Sequence, residues 1–210
     1  MLKFEELLFD KSLDIVSLTG VVGFFAILPL AKVLPMQWGW ENGILENAQV
    51  GVLAIGLCMN FYFYKKSVAR NEKMQYLSIA SFFALLIGRE LSWGRVFFQT
   101  NMTKAGPTFI AMDQIPYHML IRLGILLFIV GVLLALVYNV RWEKVVQVAV
   151  PVIYIVLIIC NIIFSVLGEK GVLLNEVQGQ IIEELAELMA YFFMVKIVYY
   201  YHAHLEKLEN

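Results

Sequence analysis

The sequence predicts an all-α fold, a polytopic transmembrane helical bundle of about six spans with both termini cytoplasmic. Three observations predict it. Of 210 residues, 60% are apolar and only 16% charged, and the mean hydropathy is +0.75, so too little polar surface remains for a soluble domain. The apolar residues fall into six runs, each long enough to cross ~30 Å of hydrocarbon at about 20 residues per span. The basic residues of the connections are unevenly sorted between the two sides. With the N-terminus cytoplasmic, that side holds Lys3, Lys11, Lys65, Lys66, Arg70, Lys73, Arg141, Lys144 and Lys207, against Arg95, Lys104 and Lys170 opposite. Six spans consume roughly 120 positions, which excludes a second, water-soluble catalytic domain.

Residues 1–12 are expected to form an interfacial segment, with Phe4, Leu7, Leu8 and Phe9 on its apolar side. Its acids offset its lysines and no small-x-small cleavage site follows, so it is not a signal peptide and should stay attached. A single transmembrane domain then runs over 13–201, with spans at 13–34, 44–64, 74–89, 116–138, 145–167 and 181–201 and a cytoplasmic tail at 202–210. Lipid forces these spans to be helical, because no water is present to satisfy open backbone. Pro116 suits a first helical turn and Pro151 a modest kink in the fifth span. Tyr62, Tyr64, Tyr199, Tyr200 and Tyr201 fall at the inner interface and Trp38, Trp40 and Trp93 at the outer one, as aromatic belts require. Cys58 and Cys160 have no CxxC partner and read as small buried hydrophobes. The net charge of -1 with no basic stripe gives no reason to expect nucleic acid.

The scarce charge collects at the outer ends of spans two, three, four and six. Glu41, Glu46, Glu90, Asp113, Glu183, Glu184 and Glu187 lie there with Arg89, Arg95, Arg122 and His118, an excess of roughly four acids over arginines. Helical spacing puts Glu46 with Asn42 and Gln49, His118 with Arg122, and Glu183 with Glu187 and Tyr191. An ionised group left unpaired near the bilayer centre costs ~2.5 to 3.5 kcal/mol or more, so partners are required. Three answers fit. The carboxylates are protonated, which suits a general acid or proton relay, with Glu90 and Glu187 the catalytic candidates. They bind a divalent metal, with His118, Glu90 and Glu187 as the oxygen-and-imidazole set. Or they line a wet vestibule. RELSWGR, residues 89–95, is the densest cluster. Its arginines have the geometry to hold a carboxylate or phosphate, with Trp93 beside them.

WENGILENAQ opening one span, RELSWGR closing the next and EELAELMAY opening the last together resemble a set of uncharacterised bacterial multi-span inner-membrane proteins. These share an acidic-Gly segment, a Glu-x-Ser-Trp-Gly-x-Arg segment and a terminal Glu-x-x-Glu helix. This chain carries Arg89 where another acid is expected, and Asn47 where an aromatic is common. The resemblance implies a multi-pass protein of the bacterial inner membrane and an important outer polar cluster, and it implies no reaction. The ligand-binding set is then Glu46, Asn47, Gln49, Arg89, Trp93, Arg95, Arg122, Glu183 and Tyr191, taking a cation or an anionic lipid-like headgroup. A cation or proton transporter or channel, in which an oligomer could supply the pore lining, and a structural or accessory subunit of a membrane complex stay open as alternatives. Membrane lipid is the expected partner. His202 and His204, at the other end of the last span, are expected only to face the cytosol.

Overall fold

The computed structural model describes residues 9–10, 12, 14–103 and 106–209 and is mostly helical. In chain order the elements are β1 (Phe9–Asp10), α1 (Ile15–Val33), α2 (Ile44–Lys66), α3 (Arg70–Glu90), β2 (Gln99–Thr103), β3 (Gly106–Phe109), α4 (His118–Asn139), α5 (Trp142–Val145), β4 (Val150–Pro151), α6 (Val152–Glu169) and α7 (Glu176–Glu209). Among them α1, α2, α4 and α6 are long and apolar enough to cross a membrane. α3 and α7 have the length but carry more charge. The chain divides into two compact units, one of Met1–Gly39 with Arg141–Asn210 and the other of Trp40–Val140.

The first unit is built on α1, α6 and α7. α6 and α7 run antiparallel in close contact, and glycine sets how close. A Cβ on Gly168 would lie 2.8 Å from the Gly179 carbonyl oxygen and 2.9 Å from the Glu183 nitrogen. In lipid, helices gain little from hiding apolar surface, so tight packing of this kind is what holds them together. α1 docks through Gly20, which lies under the Phe193 ring. Tyr154, Leu157 and Phe193 form a buried cluster, with Val16, Phe24 and Ile197 packed around it. α1 starts where Asp14 accepts the Ser17 N–H, and α7 where Asn175 accepts the Gln178 N–H at 2.9 Å. At 34 residues α7 is ~50 Å long, more than a ~30 Å apolar layer spans, and it runs without a break through the expected tail to Glu209.

The second unit is an α2–α3 hairpin in which Gly56 makes room for Phe83, followed by an antiparallel β2–β3 pair and by α4, which packs on α3. α4 is the most apolar helix, with a mean hydropathy of 2.9, yet only 6% of its apolar window is buried. Leu126, Leu127, Leu133, Leu134 and Val137 all lie on the surface. A helix that is apolar all round and faces outward belongs in lipid. Asn139 at its end donates to Ser78 Oγ of α3 at 2.9 Å.

Several local expectations are corrected. Pro151 does not kink a span: it precedes α6 and pairs with Asp10 in the parallel β1–β4 contact, because a residue without N–H fits an edge or a helix start. Pro116 sits two residues before α4, whose cap is Tyr117 in the left-handed conformation at φ 60°. Cys58 is exposed and Cys160 half-buried, since in lipid a small apolar side chain gains nothing by hiding. The long connection after RELSWGR contains paired strands, with a register shift between Gln99 and Asn101. The expected interfacial segment lies outside the described residues apart from Phe9, Asp10 and Ser12; there, Phe9 is in a strand rather than a helix.

Candidate functional site

In the second unit the WENG and RELSWGR segments come together. Asn42 is left-handed at φ 58°, which turns its N–H onto the Glu46 carboxylate, and Asn47 Nδ2 donates to the Gly43 carbonyl at 2.7 Å. A carboxylate there also complements the positive end of α2. Glu46 is buried and so is Gln49 one turn on. Ser92 Oγ donates to Glu41 Oε1 at 3.1 Å, tying the end of α3 to the start of α2. Ser92, Trp93 and Gly94 have φ of 44°, 55° and 89° in succession. For the two non-glycine residues this costs roughly 1–2 kcal/mol each. The turn lays Trp93 over Gly88 and edge-on to Phe128, with centroids 6.3 Å apart, so Trp93 packs within the unit.

Glu90 is buried and paired with Arg89 Nη1 at 3.2 Å. Arg89 itself is mostly exposed, so the pair is screened and contributes little stability. Arg95 differs. It is half-buried, its Nε is shut away from solvent, and it makes no hydrogen bond or ion pair among the described residues. His118 is half-buried and Arg122 exposed on α4, and neither side chain makes a hydrogen bond or ion pair among the described residues. No group of three or more His, Cys, Asp or Glu side chains is placed to hold a metal ion among the described residues, so the expected set of His118, Glu90 and Glu187 finds no support.

In the first unit Glu183, Glu187 and Tyr191 share a face of α7, with Tyr191 buried and both glutamates half-buried. Glu187 Oε1 accepts from Ser165 Oγ of α6 at 3.2 Å. One turn along α6, Asn161 is fully buried; its Nδ2 donates to the Leu157 carbonyl at 2.7 Å and its Oδ1 has no partner.

The other end of this unit holds a cavity of about 220 Å³ that the sequence reading passed over. It lies where α1 and α6 begin and α7 nears its end. Tyr154 donates its hydroxyl to Asp14 Oδ2 at 2.6 Å, and Ser17 donates both N–H and hydroxyl to Asp14 Oδ1 at 2.7 and 2.6 Å. Tyr200 shares its one hydroxyl proton between Asp10 Oδ2 at 3.1 Å and the Ala149 carbonyl at 3.0 Å. The Ser12 hydroxyl and N–H beside Asp10 hold its carboxyl below the ordinary 3.8, so it is ionised at neutral pH. His204 is not a bystander facing solvent: its Nδ1 donates to the Tyr200 carbonyl at 2.8 Å and its ring lies 4.1 Å from that of Tyr200. His202 lies 4.0 Å from Glu206.

The chain matches no protein-family model, no curated protein and no solved structure.

Proposed function

We propose that the protein is a six-span inner-membrane protein, with both termini cytoplasmic, that holds an anionic lipid-like headgroup at the outer face, where α2 begins and α3 ends. Arg95 carries the reading. A guanidinium offers five N–H donors and does not lose its charge, so one without a protein partner at a membrane interface is a ready receptor for phosphate or carboxylate. Glu41 and Glu46 are turned onto Ser92 and the Asn42 N–H, which leaves Arg95 available to an incoming anion. The strained Ser92–Trp93–Gly94 turn fixes where Arg95 emerges.

The alternative of a transporter has less support. Asn161, Ser165 and Glu187 give α6 and α7 a polar stripe at mid-depth, but the Tyr154–Leu157–Phe193 cluster interrupts it. Purified protein in nanodiscs of phosphatidylcholine with a minor fraction of phosphatidylglycerol tests the proposal. The expected result is co-purification of phosphatidylglycerol above its bulk fraction, reduced about tenfold in Arg95→Gln and preserved in Arg70→Gln at the opposite end of α3. Equal enrichment in wild type and Arg95→Gln would remove Arg95 as the anchor.

A further inference from the structure

We propose that the cavity lined by Asp10, Asp14, Tyr154, Tyr200 and His204 binds a primary ammonium group. This rests on the first unit alone and is independent of the Arg95 reading.

Charge selects the class of ligand. Two carboxylates face one cavity, and neither forms an ion pair with a lysine or arginine among the described residues. Lys196 on α7 acts on Asp14 only at a distance. The partial positive charge at the start of α1, roughly half a unit, offsets only part of one carboxylate. The hydrogen bonds that hold both acids come from neutral hydroxyls and N–H groups, which orient them without cancelling their charge. The cavity thus attracts a cation.

Geometry then selects among cations. A carboxylate has about four acceptor sites. Asp14 uses three of them, on Ser17 and Tyr154, and Asp10 three, on the Ser12 N–H and hydroxyl and on Tyr200, so each keeps about one. The free lone pairs favour a guest that brings N–H donors. A bare metal ion is a poor match, because no group of three His, Cys, Asp or Glu side chains stands at metal-holding distance among the described residues. The walls add aromatic faces: Tyr154 and Tyr200 meet edge to face at 6.4 Å, with His204 against Tyr200. Such faces favour an ammonium through the negative potential of the ring. With Nδ1 engaged, neutral His204 presents Nε2 as a further acceptor. A primary ammonium meets these terms; a quaternary one, lacking N–H, meets only the aromatic one.

On the helix side of Tyr154 the cavity adjoins the apolar Tyr154–Leu157–Phe193 cluster. A free amine and the ethanolamine headgroup of a lipid offer the same chemistry.

The test uses the full chain in two arms. In detergent, calorimetric titration compares ethanolamine with choline; in nanodiscs, co-purified phosphatidylethanolamine is measured against phosphatidylcholine. The expected result is a preference of at least tenfold for the primary amine in one arm or both, lost in Asp10→Asn and in Tyr200→Phe. Preference in the nanodisc arm alone identifies a lipid guest, and preference in detergent a free amine. Tyr200→Phe keeps the ring and so guards against a mere folding defect, as does an unchanged melting temperature. Absence of preference in both arms, or a preference that survives both substitutions, would overturn the proposal.

Discussion

The two units bury polar groups in an apolar chain by opposite means. In the Trp40–Val140 unit, two acids are answered close by in sequence, with Arg89 paired to its neighbour Glu90 and Glu46 taking the N–H of Asn42, and Glu41 takes the hydroxyl of Ser92. In the other unit, Asp10 and Asp14 are answered by hydroxyls that arrive from far along the chain, Tyr200 and Tyr154. Neutralising a charge with a charge leaves nothing to recruit, except at a cation outside the pairing, as Arg95 is. Holding a charge with neutral dipoles leaves its field intact. The proposed anion site accordingly stands at Arg95, and the proposed cation site at two carboxylates held by neutral donors.

The units differ also in what holds their helices together, and here the largest effect is expected. At Gly168 a Cβ would meet backbone, the Gly179 oxygen and Glu183 nitrogen, which have no rotamer to yield. At Gly56 it would meet the ring of Phe83, which can tilt. Overpacking costs ~1–3 kcal/mol and occasionally more. Gly168→Ala should sit at or beyond the top of that range and Gly56→Ala near its foot, read as loss of apparent melting temperature in detergent. An equal loss in both would show that the two hairpins are equally pliable.

A smaller effect separates the hydroxyl-held acid from the locally held one. Tyr154→Phe removes a 2.6 Å donor from Asp14 while keeping the ring against Phe193. A hydrogen bond to a charged group contributes about 1.5–3 kcal/mol, and the low end applies because Asp14 still reaches water. Ser92→Ala, which frees Glu41 on an exposed surface, should cost less than about 1 kcal/mol.

The acid network of the second unit was legible in the sequence and the cavity of the first was not. Charges inside an apolar run stand out, and spacings of three and four place Glu46 with Gln49 on one helix face. The contact between WENG and RELSWGR joins the two ends of one hairpin, and adjacency in the chain implies it. Tyr154 and Asp14 are 140 residues apart and Tyr200 and Asp10 are 190 apart. No periodicity within a helix reports such a contact. Asp10 and Asp14 also look like ordinary interfacial acids, and Tyr200 like a belt residue, until the fold turns them toward each other. The β2–β3 pair was hidden for a related reason, because β2 is mostly polar, exposed throughout and without an apolar alternation.

Acid should expose the same difference as a pH effect. The fold favours ionised Asp10, so its contribution is complete above the ordinary 3.8 and disappears as pH falls through the lowered value. Ammonium binding follows it, since a protonated aspartate offers neither the charge nor the acceptors. Binding measured from pH 7 down to about 3 should stay level and then fall at the acid end, and in Asp10→Asn it should be weak throughout. A decline centred near pH 6 would instead assign the control to a group other than Asp10.

The smallest effect concerns a feature the units share. Asn60 of α2 and Asn161 of α6 are each fully buried, each donates Nδ2 to the carbonyl four residues back, at 2.8 and 2.7 Å, and each leaves Oδ1 unpartnered. A buried carbonyl oxygen without a donor costs about 1–3 kcal/mol, which an apolar side chain of similar branching recovers. The extra volume of leucine works against that gain. Asn60→Leu should therefore be neutral or stabilising within about 1 kcal/mol. Asn161→Leu should be less favourable, because α6 lies closer to its partner than α2 does and has less room to adjust. Should Asn161→Leu instead lose several kcal/mol while Asn60→Leu does not, Asn161 is satisfied in the membrane by a guest that Asn60 lacks. Its neighbours Ser165 and Glu187 would then be the residues to replace next, with the expectation that Ser165→Ala lowers the melting temperature only while Asn161 is present.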